Sequence, residues 1–162
     1  MRTVATIGIY DWTPEAWLDA LRAEGVRHVV DVRQRRGVRG NEYSWANARR
    51  LQTALAAAGI PYEHRKELAP TTELRQLQYA EDDRVGVGKR SRVGLAPEYV
   101  ERYTREILGQ VDLRPIVEAL PAEGSSALMC VERDPEACHR SLVAARLESE
   151  FGLPVTHLRP SR

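Results

Sequence analysis

The chain has 162 residues, of which 43% are hydrophobic and 29% charged, and its formal net charge is +1. That length and balance suit one folded globular domain and exclude a disordered polyelectrolyte. The near-neutral total gives no global pull toward nucleic acid or acidic lipid, and apolar runs such as residues 128–131 are far too short to cross a bilayer.

Residues 3–9 (TVATIGI) are β-branched and apolar, as a buried strand requires. Thr13-Pro14-Glu15 carries helix-start chemistry: a capping hydroxyl, a proline in the first turn and an acid at the positive end of the dipole. Trp17, Leu18 and Leu21 share one face of that helix, Gly25 ends it, and residues 26–32 (VRHVVDV) form a second strand. An arginine-rich loop holding Arg33, Arg35, Arg36 and Arg39 follows. Ser44 is placed to cap a helix carrying Trp45, Ala48, Leu51, Leu55 and Ala58, which Gly59 closes before a strand at residues 60–64. A short helix is expected over residues 72–80. Residues 81–96 are polar, with Gly86, Gly88 and Gly94 marking a loop that also carries Lys89, Arg90 and Arg92. Residues 97–108 and 112–120 have helical spacing. The chain closes with a strand at 127–131, a helix at 138–151 ended by Gly152, and a strand at 154–158.

Alternation of strands and helices predicts one α/β domain over residues 1–162, a three-layer sandwich with a mainly parallel sheet and helices on both faces. Ligands in such folds bind beyond the carboxyl ends of the strands. Two loops expected there are rich in polar chemistry, one after Asp31-Val32-Arg33 and one after Cys130. The start of the chain lacks a basic region, an apolar segment and a cleavage site, so a cytoplasmic location is expected. In that setting the two cysteines point to reduced thiols with a catalytic or redox role rather than to a disulfide.

The run from Cys130 to Ser141 (CVERDPEACHRS) concentrates reactive groups in one strand–loop–helix turn. Cys138 is expected in the first turn of the last helix, where backbone N–H groups, His139 and Arg140 favour its thiolate. Cys130 is a second candidate nucleophile, or else a small core residue. Glu132 and Asp31 are candidates for orienting groups or moving protons. Arg33, His139 and Arg140 would hold an anion, and Tyr43 would offer a ring for a base. The alternatives are a structural Asp31–Arg33 ion pair or helix cap, a His139 that caps or solvates the helix, and a Tyr43 in the core. If Cys138 and His139 are both helical, their side chains diverge by about 100° and cannot act on one atom. Cys130, Cys138 and His139 match no common zinc spacing, so a metal would need His64 or His157 as well, and no metal ligands are assigned. Asp83 and Arg90 stand where a phosphate loop would need a glycine and a serine or threonine, which excludes that motif.

Several of these segments together, namely Thr6-Ile7-Gly8, Val30-Asp31-Val32-Arg33, Ile60-Pro61-Tyr62-Glu63-His64, Cys130-Val131-Glu132, Cys138-His139-Arg140 and Val155-Thr156-His157-Leu158, give the chain a resemblance to the bacterial family numbered 488 among the domains of unknown function. The resemblance covers nearly the whole chain. Leu68-Ala69-Pro70-Thr71-Thr72 resembles one branch of it, where other members carry Leu-Gly-Gly. The resemblance implies no particular activity, cofactor or substrate. A looser likeness to rhodanese domains lies in a strand ending Asp-x-Arg followed later by strand, cysteine, loop, arginine and helix. The loop here is longer than theirs, with Arg140 ten residues after Cys130.

Three functional readings follow. The first is an enzyme acting on a small or nucleotide-like anionic substrate through a thiol and arginines. The second is a binding module for nucleic acid or a nucleotide, with structural cysteines. The third is a metal-dependent enzyme. No membrane partner is expected.

Overall fold

The computed structural model describes residues 1–161. Five parallel strands form one sheet: β1 (Arg2–Ile7), β2 (Val26–Asp31), β3 (Tyr62–His64), β4 (Gly124–Met129) and β5 (Val155–His157), in the order β3-β2-β4-β1-β5. Helices α1 (Pro14–Ala23), α2 (Ala48–Ala57), α3 (Thr72–Val85), α4 (Pro97–Glu106), α5 (Arg114–Ala119) and α6 (Arg140–Phe151) connect them. From β1 the chain steps through β2 to β3 on one side, then returns through β4 to β5 on the other. Right-handed crossovers in opposite directions place α1 and α2 on one face and α6 on the other. The three-layer α/β architecture expected from the alternation is the one observed.

Local chemistry explains most of the boundaries. The Thr13 side chain accepts from the Ala16 N–H to cap α1, and Gly25, at φ +71°, lets the chain leave it. The central strand β4 is buried on both faces, and its neighbours β1 and β2 bury most of their length, as a parallel sheet demands. Strands β3 and β5 are only three residues long, which leaves little open edge.

Two elements depart from the sequence reading. Residues Asn41–Ala46 form a 3-10 turn, so Ser44 lies inside it and Asn47 takes the cap position of α2. The Asn47 Oδ1 accepts from the Val38 N–H instead of from the helix. The expected short helix at 72–80 runs on to Val85, because Gln78 and Asp82 face the interior one turn apart and Gly86 ends it in the left-handed conformation. No helix among the described residues is long and apolar enough to cross a membrane.

Parallel register sets the row from which the site is built. Asp31 pairs with both His64 and Met129, and Met129 pairs with Ile7. Arg33, Cys130 and Gly8 therefore emerge together at the carboxyl edge. Between β2 and β4 the onward connections diverge to opposite faces, which opens a crevice at that edge. The β1 loop is wedged beneath it: the Ile9 and Tyr10 N–H groups donate to the Val131 carbonyl, and Trp17 Nε1 donates to the Gly8 carbonyl. A Cβ on Gly8 would be driven into the Glu132 carbonyl oxygen, a backbone atom that cannot swing aside. Gly8→Ala is therefore expected to lower stability by about 1–3 kcal/mol or more, read as a lower denaturant midpoint. An unchanged midpoint would show that the two loops are not locked together.

Candidate active site

Beyond Met129 the chain runs through Cys130, Val131 and Glu132 into a 3-10 turn at Pro135–Ala137. Cys138 is extended (φ −140°, ψ 145°), His139 takes the cap position, and α6 begins only at Arg140. This corrects the expectation that Cys138 lies in the helix, and with it the argument that Cys138 and His139 diverge. His139 Nδ1 stands 3.8 Å from Cys138 Sγ and 3.9 Å from Cys130 Sγ. Nε2 of the same ring is 2.7 Å from the Val32 carbonyl oxygen. A carbonyl can only accept, so Nε2 carries a proton and Nδ1 is the nitrogen that titrates beside the sulfurs.

The two thiols are buried and free, and their environments drive them apart. Burial opposes the Cys138 thiolate, but the hydrogen bond from Cys130 and the charges of His139 and Arg140 prevail and hold the Cys138 thiol well below its ordinary range. That same hydrogen bond, with burial, pushes the Cys130 thiol well above it. Burial also opposes the His139 imidazolium, yet the adjacent Cys138 charge and the Val32 carbonyl raise it above the usual histidine value. The surroundings thus favour charge on Cys138 and His139 and retention of the proton on Cys130. Glu132 Oε2 lies 3.7 Å from Cys130 Sγ, and burial together with the Cys138 charge raises its carboxyl.

This cluster forms the inner wall of a narrow cleft of about 50 Å³, lined further by Arg33, Arg35, Arg75, Lys89 and Arg92, with Glu132 the one carboxylate among the lining residues. Arg92 anchors its loop. It makes a two-pronged pair with Asp82 at 2.7–3.1 Å and also reaches Glu132 Oε1 and the Ala137 carbonyl. Gln78 Nε2 donates to Asp82 and accepts through Oε1 from the Ala96 N–H, which completes the support. Lys89 is raised despite burial, chiefly by the charge of Glu132 and by Tyr10 and Tyr79.

The remaining sequence candidates have different jobs. Asp31, fully buried, accepts from the Arg33 backbone, from two nitrogens of the Arg33 guanidinium and from Tyr62 Oη at 2.5 Å. Arg33 Nη1 donates to the Ala46 carbonyl. Asp31 thus has no free oxygen for proton transfer, and Arg33 presents only an edge of an already paired guanidinium to the cleft. Arg140, also fully buried, donates to the Glu132 and Arg133 carbonyls and lies outside the lining. It braces the Cys130–Cys138 loop and contributes charge to Cys138 at a distance. Tyr43 is a core ring whose hydroxyl accepts from the Asp11 N–H, and it supports Arg90 rather than a base. His64 contacts the Arg33 carbonyl and His157 the Thr6 hydroxyl, so neither joins the sulfurs. Arg75, Tyr79, Gln78 and Asp82 had no part in the sequence reading of the site. The only signal for the last two was their spacing of four residues in a segment otherwise read as a helix end and a loop.

Ultraviolet thiolate absorbance tests the ion pair. The protein is expected to keep one thiolate as pH falls well under the ordinary thiol range, and to lose it only on passing the depressed Cys138 value. Cys138→Ser should abolish that signal, and His139→Gln should move its midpoint up by about one to three pH units. An ordinary midpoint in the unaltered protein would refute the arrangement.

Comparison with known proteins gives one match. The model of the family described as domain of unknown function DUF488 matches residues 13–147. No curated protein and no solved structure matches the chain, so the likeness to rhodanese domains gains no support. The family match spans most of the chain, from α1 through β4 and the thiol loop into α6; the chain belongs to the DUF488 family.

Proposed function

We propose that the protein is a thiol-dependent enzyme of nucleophilic group transfer acting on a small or nucleotide-like anionic substrate. The observation that carries this reading is the Cys138–His139 pair at the inner wall of a cleft rich in cations. An oxyanion or phosphate would rest between Arg75, Lys89 and Arg35, whose charges have no carboxylate partner among the described residues. Its electrophilic centre would face Cys138.

In the first half-reaction the Cys138 sulfur donates its electron pair to that centre. The bond to the leaving group breaks, and the leaving group departs with the bonding electrons and the Nδ1 proton of His139. Water, or an acceptor hydroxyl, then attacks the thioester-like or thiophosphoryl-like adduct. It returns a proton to His139 Nδ1 and releases the Cys138 thiolate. Cys130, held protonated, stabilises that thiolate between turnovers, and Glu132 tunes the field from the adjacent wall.

Alkylation tests this without knowledge of the substrate. The iodoacetate-to-iodoacetamide rate ratio at Cys138, located by mass spectrometry, is expected to exceed that of free cysteine by about tenfold or more, because the cleft concentrates anions. The double variant Arg75→Ala/Lys89→Ala should bring it back toward the free-thiol ratio. A Cys138 that reacts no faster with the anion than free cysteine does would end the proposal.

A second reading rests on a separate observation: one ligand atom each from Cys130, Cys138 and His139 lies within 4.8 Å of the others. Two thiolates and an imidazole whose other N–H is tied to a carbonyl resemble a catalytic zinc set with a fourth position open to the cleft. Zinc titration separates the two. Tight one-to-one binding with proton release, lost in His139→Ala and blocking Cys138 alkylation, would replace the thiol reading by this one.

A further inference from the structure

The cleft does not end at the surface. It continues into a groove of about 1110 Å³ that shares Arg35, Arg75, Tyr79 and Lys89 with it and adds Arg39 and Arg90. A pocket for one small ligand takes about 300–1,000 Å³. The inner cleft, at about 50 Å³, falls below that range and admits no more than a small group, while the groove reaches its upper bound, so the pair suits an extended ligand that lies along the groove and presents one group to the cleft.

The charge of the groove is built and uncompensated. No Asp or Glu is among its lining residues, although the whole chain is nearly neutral. Its cations are positioned by neutral groups. Arg90 lies over the rings of Tyr10 and Tyr43 at 5.1 and 5.0 Å. Arg75 lies 5.7 Å from the centre of the Tyr79 ring and donates to the Tyr79 hydroxyl and to Gln34 Oε1. The single carboxylate contact is Glu42 with Arg90, 3.6 Å apart and both exposed, a pair that a polyanion can displace. Arginines held by rings and amides keep their full charge for a ligand.

We propose that this groove binds single-stranded nucleic acid, its phosphates following Arg39, Arg90, Arg35, Lys89 and Arg75, and that it presents one phosphate group of the strand to the narrow cleft at Cys138. A single strand fits because its flexible backbone can turn one phosphate toward a narrow cleft whose sulfur is only 1% exposed, whereas a stiff duplex cannot follow that turn. Delivery to Cys138 rests on the thiol reading above; binding along the groove does not.

The test is fluorescence anisotropy of a short labelled oligothymidylate against salt. Five phosphate contacts at about 0.7 each give a log–log slope of about −3.5. Arg39→Ala and Arg90→Ala should each reduce its magnitude by about 0.7, whereas Arg22→Ala, on the exposed last turn of α1, should leave it unchanged. Binding of the strand should also slow iodoacetate alkylation of Cys138. No binding at low salt, a slope indifferent to Arg39 and Arg90, or a duplex bound as tightly as the strand overturns the groove assignment. Binding with unaltered alkylation overturns delivery alone. Failure of the thiol reading shows separately, as an unreactive Cys138 in a protein that still binds the strand.

Discussion

The contact between His139 Nε2 and the Val32 carbonyl spans the gap where the chain leaves β2 and β4 toward opposite faces of the sheet. It fixes the ring plane, decides which nitrogen faces the sulfurs, and ties the thiol loop to the end of the neighbouring strand. Were the ring free to turn, neither sulfur would have a defined partner and the opposed displacement of the two thiols would vanish. The surrounding scaffold keeps that bond in place: Arg140 holds the carbonyls of Glu132 and Arg133, Gly8 lies against the same loop from below, and Arg92 grips the Ala137 carbonyl from above.

Three buried arginines thus act mainly as braces, and their charge is answered locally in different ways. Arg33 faces a carboxylate at full burial, Arg92 faces two, and Arg140 meets only carbonyls while its Nε has no protein partner. Pairing of the first two limits the cost of their desolvation. Arg140 differs, since carbonyl dipoles leave its positive field largely intact, and that field reaches Cys138. The cations proposed to hold the substrate are a separate set, Arg35, Arg75 and Lys89, which stand nearer to solvent and form no direct ion pair among the described residues. Position in the row of strands decides which arginine serves which purpose.

That division explains what was legible in the sequence. Alternating segments, the Thr13 cap and the glycines at helix ends declare an α/β sandwich, because they act through backbone geometry within a few residues. The Cys130–Arg140 run declares a site by density of chemistry alone. Sequence alone leaves Asp31 and Arg33 open between a structural ion pair and an anion site, and reads Arg140 as a site cation and anion holder, because a buried pair and a surface anion site use identical side chains and differ only in what folds over them. Cys138 and His139 were assigned to the helix over 138–151; a 3-10 turn at Pro135–Ala137 delays α6 to Arg140 and turns both side chains toward one point. Gln78 and Asp82 sit in a stretch too polar to suggest burial, and only the long-range partner Arg92 makes them interior residues.

The depth of Cys138 has a consequence for its survival in a cell. A thiolate formed at neutral pH is ordinarily the first target of peroxides and of bulky disulfides such as oxidised glutathione. Here the sulfur is 1% exposed behind a narrow cleft, so a tripeptide disulfide has no line of approach to it. Small oxidants that do enter meet Cys130 beside the same imidazole, placing a neighbouring thiol to condense with a sulfenic acid before it oxidises further. On the thiol reading proposed above, reactivity toward a slender substrate and resistance to broad electrophiles come from one and the same restriction of access.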